Sequence, residues 1–405
     1  MHVKERYGIT MKIALMTNNY KPFMGGVPIS IERLKRGLEA LGHQVTVFAP
    51  TYEEQEEEEN VFRYATCMKK FIGGIVLPNP FDRRIEDEFI KHDFDIIHVH
   101  HPMLIGRTAV YLSRKYNIPL TFTYHTRYEQ YVECYTKCGL IEKLTPLYLR
   151  AFMKHCHFIF APTQGMKDYL TEKCKVYPSR IGILPTGIEE ANFQVGEEEC
   201  VNIREQYQAH DMPLFITVSR MAQEKNVAFL LQSLALFKKR WKKPFRMLMI
   251  GDGPDRESYE QTAVHLGLEK EICFTGKIPN EDIAPYFAAA DAFLFASKTE
   301  TQGIVILEAF AGKTPVIAVE ASGVKDLVKS GFNGILTEED PEQLAGELVS
   351  FLTNAPIRER MALYAGQSAL AYREEAVALQ AVRYYNGVIN AVEGNEETWK
   401  INTVF

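Results

Sequence analysis

Short apolar runs alternate with amphipathic stretches along this chain, and the alternation halts midway and then begins again. In the first half, Lys12–Thr17, Gln44–Ala49, Asp95–His100, Leu120–Tyr124, Phe158–Ala161 and Ile181–Leu184 read as strands. The stretches Pro28–Leu41, Gly106–Tyr116 and Ile141–His155 carry the helical pattern between them. Pro185-Thr186-Gly187-Ile188 closes this series, and residues 189–211, polar and acidic at Glu197-Glu198-Glu199, read as a linker with one helix. Strands then recur at Leu214–Val218, Phe245–Ile250, Ile272–Thr275, Ala292–Phe295 and Pro315–Ala318. Helices at Val227–Arg240, Arg256–Leu266, Glu281–Ala289 and Ile304–Ala311 separate them, and Ser368–Val392 is a final helical stretch. Alternation of this kind builds a parallel sheet covered by helices on both faces. A restart predicts two Rossmann-like α/β domains: 1–190, a linker over 191–211, 212–367, and a helical segment over 368–405. Ligands in such sheets bind outside the carboxyl ends of the strands, so two facing domains would share a central cleft.

Composition narrows the function classes. The chain of 405 residues is long enough for two such domains, and 46% apolar with 24% charged residues is ordinary for a globular protein. A net charge of −6 argues against general nucleic-acid binding, which shows a basic excess. No long apolar run predicts a transmembrane helix, and the start, Met1-His2-Val3-Lys4-Glu5-Arg6-Tyr7, is too charged for a signal peptide. Met11-Lys12-Ile13-Ala14 opens the first strand, so residues 1–10 read as an extension or as the product of an upstream start codon. Seven scattered cysteines without a Cys-x-x-Cys pair fit a reduced, cytoplasmic protein. Cys134 and Cys138 have no matching second half, and no metal site is expected. The acidic run Glu53–Glu59 reads as a solvated loop, and His98, His100 and His101 as packing and loop.

The segment most suggestive of chemistry is Ser297-Lys298-Thr299-Glu300-Thr301-Gln302-Gly303-Ile304-Val305-Ile306-Leu307-Glu308-Ala309, which joins a buried strand to a helix. Glu300 falls in the loop and Glu308 about one turn into the helix. Gly303 permits close approach to the backbone, and the first helical amides lack internal partners. Carboxylates that accept from hydroxyls, beside amides that suit phosphate, describe a sugar-nucleotide pocket. The plainer alternative is an acidic first turn that complements the helix dipole.

Other segments sit at equivalent places. Asn18-Asn19-Tyr20-Lys21-Pro22-Phe23-Met24-Gly25-Gly26-Val27 follows the first strand, and its paired glycines open a helix N-terminus to a phosphate or acceptor. His125, in Thr123-Tyr124-His125-Thr126-Arg127-Tyr128, projects from a strand's carboxyl end, although a single His is more often structural. Arg220 and Lys225, in Val218-Ser219-Arg220-Met221-Ala222-Gln223-Glu224-Lys225-Asn226, place two cations where a helix opens, as a departing diphosphate requires. Gly251-Asp252-Gly253-Pro254 and Phe274-Thr275-Gly276-Lys277-Ile278 each follow a strand of the second series.

Taken together, these segments resemble the retaining glycosyltransferases of the GT-B fold, family 4, group 1, through Glu300-x7-Glu308, Arg220-x4-Lys225, the Gly25-Gly26 loop and His125. The resemblance spans nearly the whole chain. It implies a GT-B architecture and a last helix that returns to the N-terminal domain. It implies catalytic roles for His125, Arg220, Lys225 and Glu300. Donor contacts fall to Gly26, Gly251, Gly276, Lys277, Ile278, Thr301, Gln302, Gly303, Ile304 and Glu308, with the Gly276–Ile278 backbone at the base edge. The donor implied is a nucleotide diphosphate sugar, UDP-glucose first; no prosthetic group is implied, and no motif calls for Mg²⁺. Retention by front-face attack is the family's mechanism, with the leaving phosphate taking the acceptor's proton.

Within the family, Tyr124-His125-Thr126-Arg127-Tyr128-Glu129-Gln130-Tyr131 and Thr299-Glu300-Thr301-Gln302-Gly303 look like the bacterial branch that glucosylates diacylglycerol. Many members carry Glu-Gly-Phe-Gly where this chain has Glu300-Thr301-Gln302-Gly303, which alters the side chains beside the sugar. A lipid acceptor implies peripheral contact with an anionic membrane. Two basic-aromatic stretches are candidates for it, Phe62–Phe71 with Lys69 and Lys70, and Phe237–Phe245. Alternatives remain a soluble or polysaccharide acceptor, a sugar-nucleotide 2-epimerase, and a non-catalytic binding protein.

Overall fold

The computed structural model describes residues 10–23, 25–68, 76–128 and 139–394. The chain divides into two compact units, residues 1–187 with 374–405, and residues 188–373. The first contains β1 (Lys12–Met16), β2 (Gln44–Pro50), β3 (Val61–Tyr64), β4 (Thr66–Met68), β5 (Leu77–Pro78), β6 (Ile96–Val99), β7 (Leu120–Thr123), β8 (Phe158–Ala161) and β9 (Ile181–Ile183). Seven of these form one sheet in the order β3-β2-β1-β6-β7-β8-β9, all parallel, while β4 and β5 pair antiparallel apart from it. The second unit contains β10 (Leu214–Val218), β11 (Arg246–Ile250), β12 (Ile272–Gly276), β13 (Ala292–Phe295), β14 (Val316–Val319) and β15 (Gly334–Thr337). They form a parallel sheet in the order β12-β11-β10-β13-β14-β15.

Central strands of a parallel sheet are covered on both faces, which is why they read as unbroken apolar runs. Every residue of Phe158–Ala161, Ala292–Phe295 and Val316–Val319 is buried. Each sheet therefore separates two apolar clusters. In the first unit Phe48, Phe122 and Ile159 lie on one side and Leu15, Val47 and Phe160 on the other. In the second, Phe215, Met249 and Leu294 oppose Ile216, Leu248 and Phe293.

The elements missed from sequence lie mostly at the margins. The edge strands Val61–Tyr64 and Gly334–Thr337 are short and of mixed polarity, so their periodicity is weak. The helix Gln164–Glu172 was likewise not anticipated; Thr163 caps it by accepting from the Met166 amide. Residues 188–211 are not a separate linker but part of the second unit. Ile188 is buried in its core and donates from its amide to the Tyr372 carbonyl at 2.6 Å, and the helix Glu197–Gln206 packs on the helix Ala284–Ala289. Residues 368–373 also belong there, and the chain returns to the first unit only at Glu374.

The two basic-aromatic stretches fare differently. Phe62–Tyr64 lies in β3 with Tyr64 buried, and residues 69–71 fall outside the described residues, as do Cys134 and Cys138. In Phe237–Phe245 the aromatic rings are core: Phe237 and Phe245 are buried and Trp241 stacks on Phe237 at 5.9 Å. Only the cations remain outside, at a helix C-terminus that they complement. The acidic run is not wholly solvated either. Glu58 pairs with Lys21 at 3.1 Å and Lys35 at 3.2 Å and accepts from the Tyr20 hydroxyl.

In the first unit, the last helix, Glu374–Val392, packs on the helix Gly26–Ala40, where Gly37 faces Ala378 so closely that a Cβ would stand 2.8 Å from its methyl. A buried polar link fastens it to the sheet. His98 Nδ1 and the Tyr385 hydroxyl are 2.6 Å apart, and His98 Nε2 lies 2.6 Å from Thr123 Oγ1. Burial pushes His98 down to about 3 and His100 well below its ordinary 6.5. As pH falls below 6.5 the unfolded chain takes up protons that these two folded imidazoles refuse. Their contribution is therefore neutral above 6.5 and destabilising below it. The free energy of unfolding should drop between about pH 7 and about pH 5, by up to ~1.4 kcal/mol per group per pH unit, with a shallower slope in His98→Gln. Denaturant titrations across that window would show it; a flat profile would contradict it.

Candidate active site

Among the described residues strand order reverses once in each unit, between β1 and β6 and between β10 and β13. At a reversal the helices following the two central strands go to opposite faces, leaving a crevice at the carboxyl ends. Arg220, Lys225 and Glu300 lie at the reversal of the second unit, and Gly26 and His125 at or beside that of the first.

In the second unit the loops after β10 and β13 meet. Lys225 Nζ donates to Glu300 Oε1 at 2.5 Å, and the Ser297 hydroxyl donates to the same oxygen at 3.1 Å. Lys225 and Glu300 are each about one-fifth exposed, enough for a ligand to reach while water is partly excluded. Ser297 is buried, so Glu300 is held from beneath by a fixed donor. Ser297 stood in the motif without an assigned role, and nothing in its spacing revealed that its hydroxyl turns onto Glu300. A second pairing borders the site: Glu339 accepts from Lys298 and from the Asn226 amide, which holds its carboxyl below the usual carboxylate range.

The helix Ile304–Ala311 begins at Gly303, whose φ of 75° is left-handed and favours glycine. Gly303 has no side chain with which to cap it, and the first amides of a helix have no acceptor within the helix itself. Glu308 and Gln302 are buried, whereas Thr301 is partly exposed. Glu308 thus sits inside the helix face and Glu300 in the loop that precedes it, in the order foreseen from sequence. The loop rests on Gly323, where a Cβ would come within 2.3 Å of the Glu300 carbonyl oxygen.

Arg220 is exposed in the loop after β10. That loop is bonded to the one after β11: the Met221 amide donates to the Asp252 carbonyl at 3.0 Å, and the Asp255 amide to the Met221 carbonyl at 3.0 Å. Gly251 has φ 128°, and a Cβ there would lie 2.0 Å from the Ser219 carbonyl oxygen. Packing of two loops therefore explains this glycine without a ligand. Gly276 joins the same arrangement, accepting from the Gly251 amide at 2.8 Å, while Lys277 is exposed and Ile278 half-buried against the core.

In the first unit the loops after β1, β6 and β7 converge. Gly26 opens the helix Gly26–Ala40. Asn18 donates to the Met103 carbonyl and accepts from the Ile105 amide, tying its loop to the next helix. His101 Nδ1 lies 3.2 Å from both the Asn18 amide and Thr17 Oγ1. His125 is half-buried, and its Nε2 is 2.8 Å from Nδ1 of the buried His100. The histidines after β6, read from sequence as packing and loop, are thus packing at His98 but a direct neighbour of His125 at His100. Burial pushes His125 well below 6.5 and His101 to about 4, so these rings are neutral near pH 7. Among the described residues no group of three or more His, Cys, Asp or Glu could hold a metal ion.

Comparison with known proteins gives this geometry its family. Residues 201–368 match Glycosyl transferases group 1, and residues 24–192 match Glycosyltransferase Family 4. The chain is 32% identical over 360 residues to the alpha-monoglucosyldiacylglycerol synthase of Streptococcus pneumoniae, covering 85% of this chain and 79% of that protein. It is 28% identical over 398 residues to the enzyme of the same name from Acholeplasma laidlawii, covering 94% and 98%. Among solved structures, the sucrose-phosphate synthase of Thermosynechococcus elongatus superposes with a TM-score of 0.78 at 20% identity, covering 94% and 100%. Anabaena HepE in complex with UDP superposes with a TM-score of 0.74 at 17% identity, covering 93% and 100%. Carrying both matched regions in order on a GT-B fold, the chain belongs to the family 4, group 1 glycosyltransferases.

Proposed function

We propose that this glycosyltransferase moves glucose from UDP-glucose to a hydroxyl of diacylglycerol or a related membrane lipid, with retention at the anomeric carbon. The observation that carries the reading is the Lys225–Glu300–Ser297 cluster beside the N-terminus of the helix Ile304–Ala311. A cation, an oriented carboxylate and helical amides together meet the needs of a sugar diphosphate. Relatives matched over most of their length are named as synthases of alpha-monoglucosyldiacylglycerol, and fold neighbours were crystallised with UDP and with UDP-glucose. The alpha linkage in those names accords with retention from the alpha-configured donor.

Mechanistically, the anomeric carbon–oxygen bond breaks as negative charge grows on the leaving diphosphate. Arg220 and Lys225 stabilise that charge, together with the amides at Gly303 and Ile304. Lys225 meets it by exchanging its contact with Glu300 for one with phosphate, which leaves the carboxylate to accept from sugar hydroxyls. Glu308 takes the ribose hydroxyls, and the Gly276–Ile278 backbone the base. His125 contributes a neutral imidazole to the transfer. The acceptor oxygen bonds to the anomeric carbon on the face from which the diphosphate departs, and its proton passes to the leaving phosphate oxygen, so neither a carboxylate nucleophile nor a separate base is needed. Among the described residues no helix is long and apolar enough to cross a membrane. A lipid acceptor would therefore be reached by peripheral contact at the inner membrane face, with Lys69 and Lys70, outside the described residues, as the basic contribution.

The reading is tested by incubating the protein with UDP-glucose and diacylglycerol in anionic vesicles, with UDP-mannose, UDP-galactose and a soluble alcohol as competing donors and acceptor. Glucosyldiacylglycerol with alpha linkage should form, and Glu300→Ala should nearly abolish it without unfolding the protein. An isomerised nucleotide sugar, or transfer only to the soluble alcohol, would point to another enzyme class or branch. Arg220→Ala and Lys225→Ala should each lower kcat by about 10²–10³-fold, and the double variant by less than the product of the two. Strictly multiplicative losses would show that they act on different groups. Gly323→Ala should displace the Glu300 carbonyl and lower kcat by roughly ten-fold or more, a loss from misplacement that unchanged kinetics in a folded variant would refute.

A further inference from the structure

Resting on the reading of His125 as part of the transfer site, we propose that His100 is a positioning residue that fixes the tautomer and orientation of His125. The two rings lie 5.1 Å apart at 22°, with His100 Nδ1 and His125 Nε2 separated by 2.8 Å. Between neutral imidazoles such a bond needs one hydrogen, carried by one ring or the other. The far side of His100 decides which. Its Nε2 is buried and has no hydrogen-bond partner. An orphaned N–H is the rarer and more costly defect in a protein interior, whereas a bare lone pair is better tolerated. His100 therefore carries its hydrogen on Nδ1 and donates to His125 Nε2, and His125 keeps its own hydrogen on Nδ1.

His100 is itself held against rotation. Its ring stacks on His98 at 4.3 Å and 27°, and His98 is pinned at both nitrogens by the Tyr385 hydroxyl and Thr123 Oγ1. The titratable groups facing His100 are His98 on its own strand, His101 in the loop beyond it and His125 after β7. All are driven toward the neutral form by burial, so the bond is not broken by protonation near pH 7. A line of rings thus runs from the last helix of the chain to His125.

The test combines kinetics with histidine ¹⁵N NMR on the full-length protein. His100→Phe keeps an aromatic ring in the stack but removes the donor, and His100→Asn places an amide nitrogen near the position of Nδ1. His100→Phe should lower kcat roughly ten-fold or more with the KM for UDP-glucose little changed, and His100→Asn should recover most of the loss. In the wild type, His125 should show a pyrrole-like Nδ1 and a pyridine-like Nε2, and in His100→Phe a mixture of both tautomers. Wild-type kcat in a folded His100→Phe, or a pyrrole-like Nε2 in wild-type His125, would overturn the proposal. Should His100→Phe fail to fold, the wild-type spectrum and His100→Asn still decide it. Full activity in His125→Ala would overturn instead the catalytic reading of His125, which the tautomer measurement does not depend on.

Discussion

Parallel strands buried on both faces impose the constraint from which the rest of this structure follows. Such a sheet must place helices on each side, so the strands are added outward in both directions from a central pair. Where the direction reverses, between β1 and β6 and again between β10 and β13, the following helices go to opposite faces and leave a crevice at the strand ends. Polar loops collect there because the backbone leaving a strand must find partners or water. Glu300, Lys225 and Arg220 lie at one reversal, and His100, His101, Asn18 and His125 at or beside the other. The core makes the site's location a consequence of topology.

Within those crevices the polar side chains are held by one another. Glu300 is bonded to Lys225 and Ser297, and the loops that carry Arg220 and Gly251 share backbone hydrogen bonds. Groups oriented before substrate arrives cost little reorganisation when charge develops, which is the physical content of electrostatic preorganisation. The first unit achieves the same with neutral rings. There, stacking and short hydrogen bonds fix imidazoles that burial keeps uncharged, so His125 is held as a dipole and not as a cation.

Glycines mark where this preorganisation depends on close backbone contact. A side chain at Gly251 would strike Ser219, and one at Gly323 would strike Glu300, so two loops and a helix start are set at distances that only glycine permits. The resemblance gave Gly251 a donor contact, and the packing of its neighbours requires glycine there in any case. Gly323 drew no notice, although it supports the loop that bears Glu300.

The sequence by itself determined the class of fold, the approximate course of the central strands and the order of the charged motif. Those properties are local: apolar runs such as Ala292–Phe295 must be buried strands, and Glu300 and Glu308 are separated by a helix start written in adjacent residues. What only the tertiary structure decided are contacts between segments far apart in the chain. Lys225 meets Glu300 because β10 and β13 are neighbours across a reversal. Tyr385 reaches His98 because the last helix returns to the first sheet, and His100 reaches His125 because β6 and β7 pair. Strand adjacency is set by the packing of whole layers, and no spacing within a single segment encodes it.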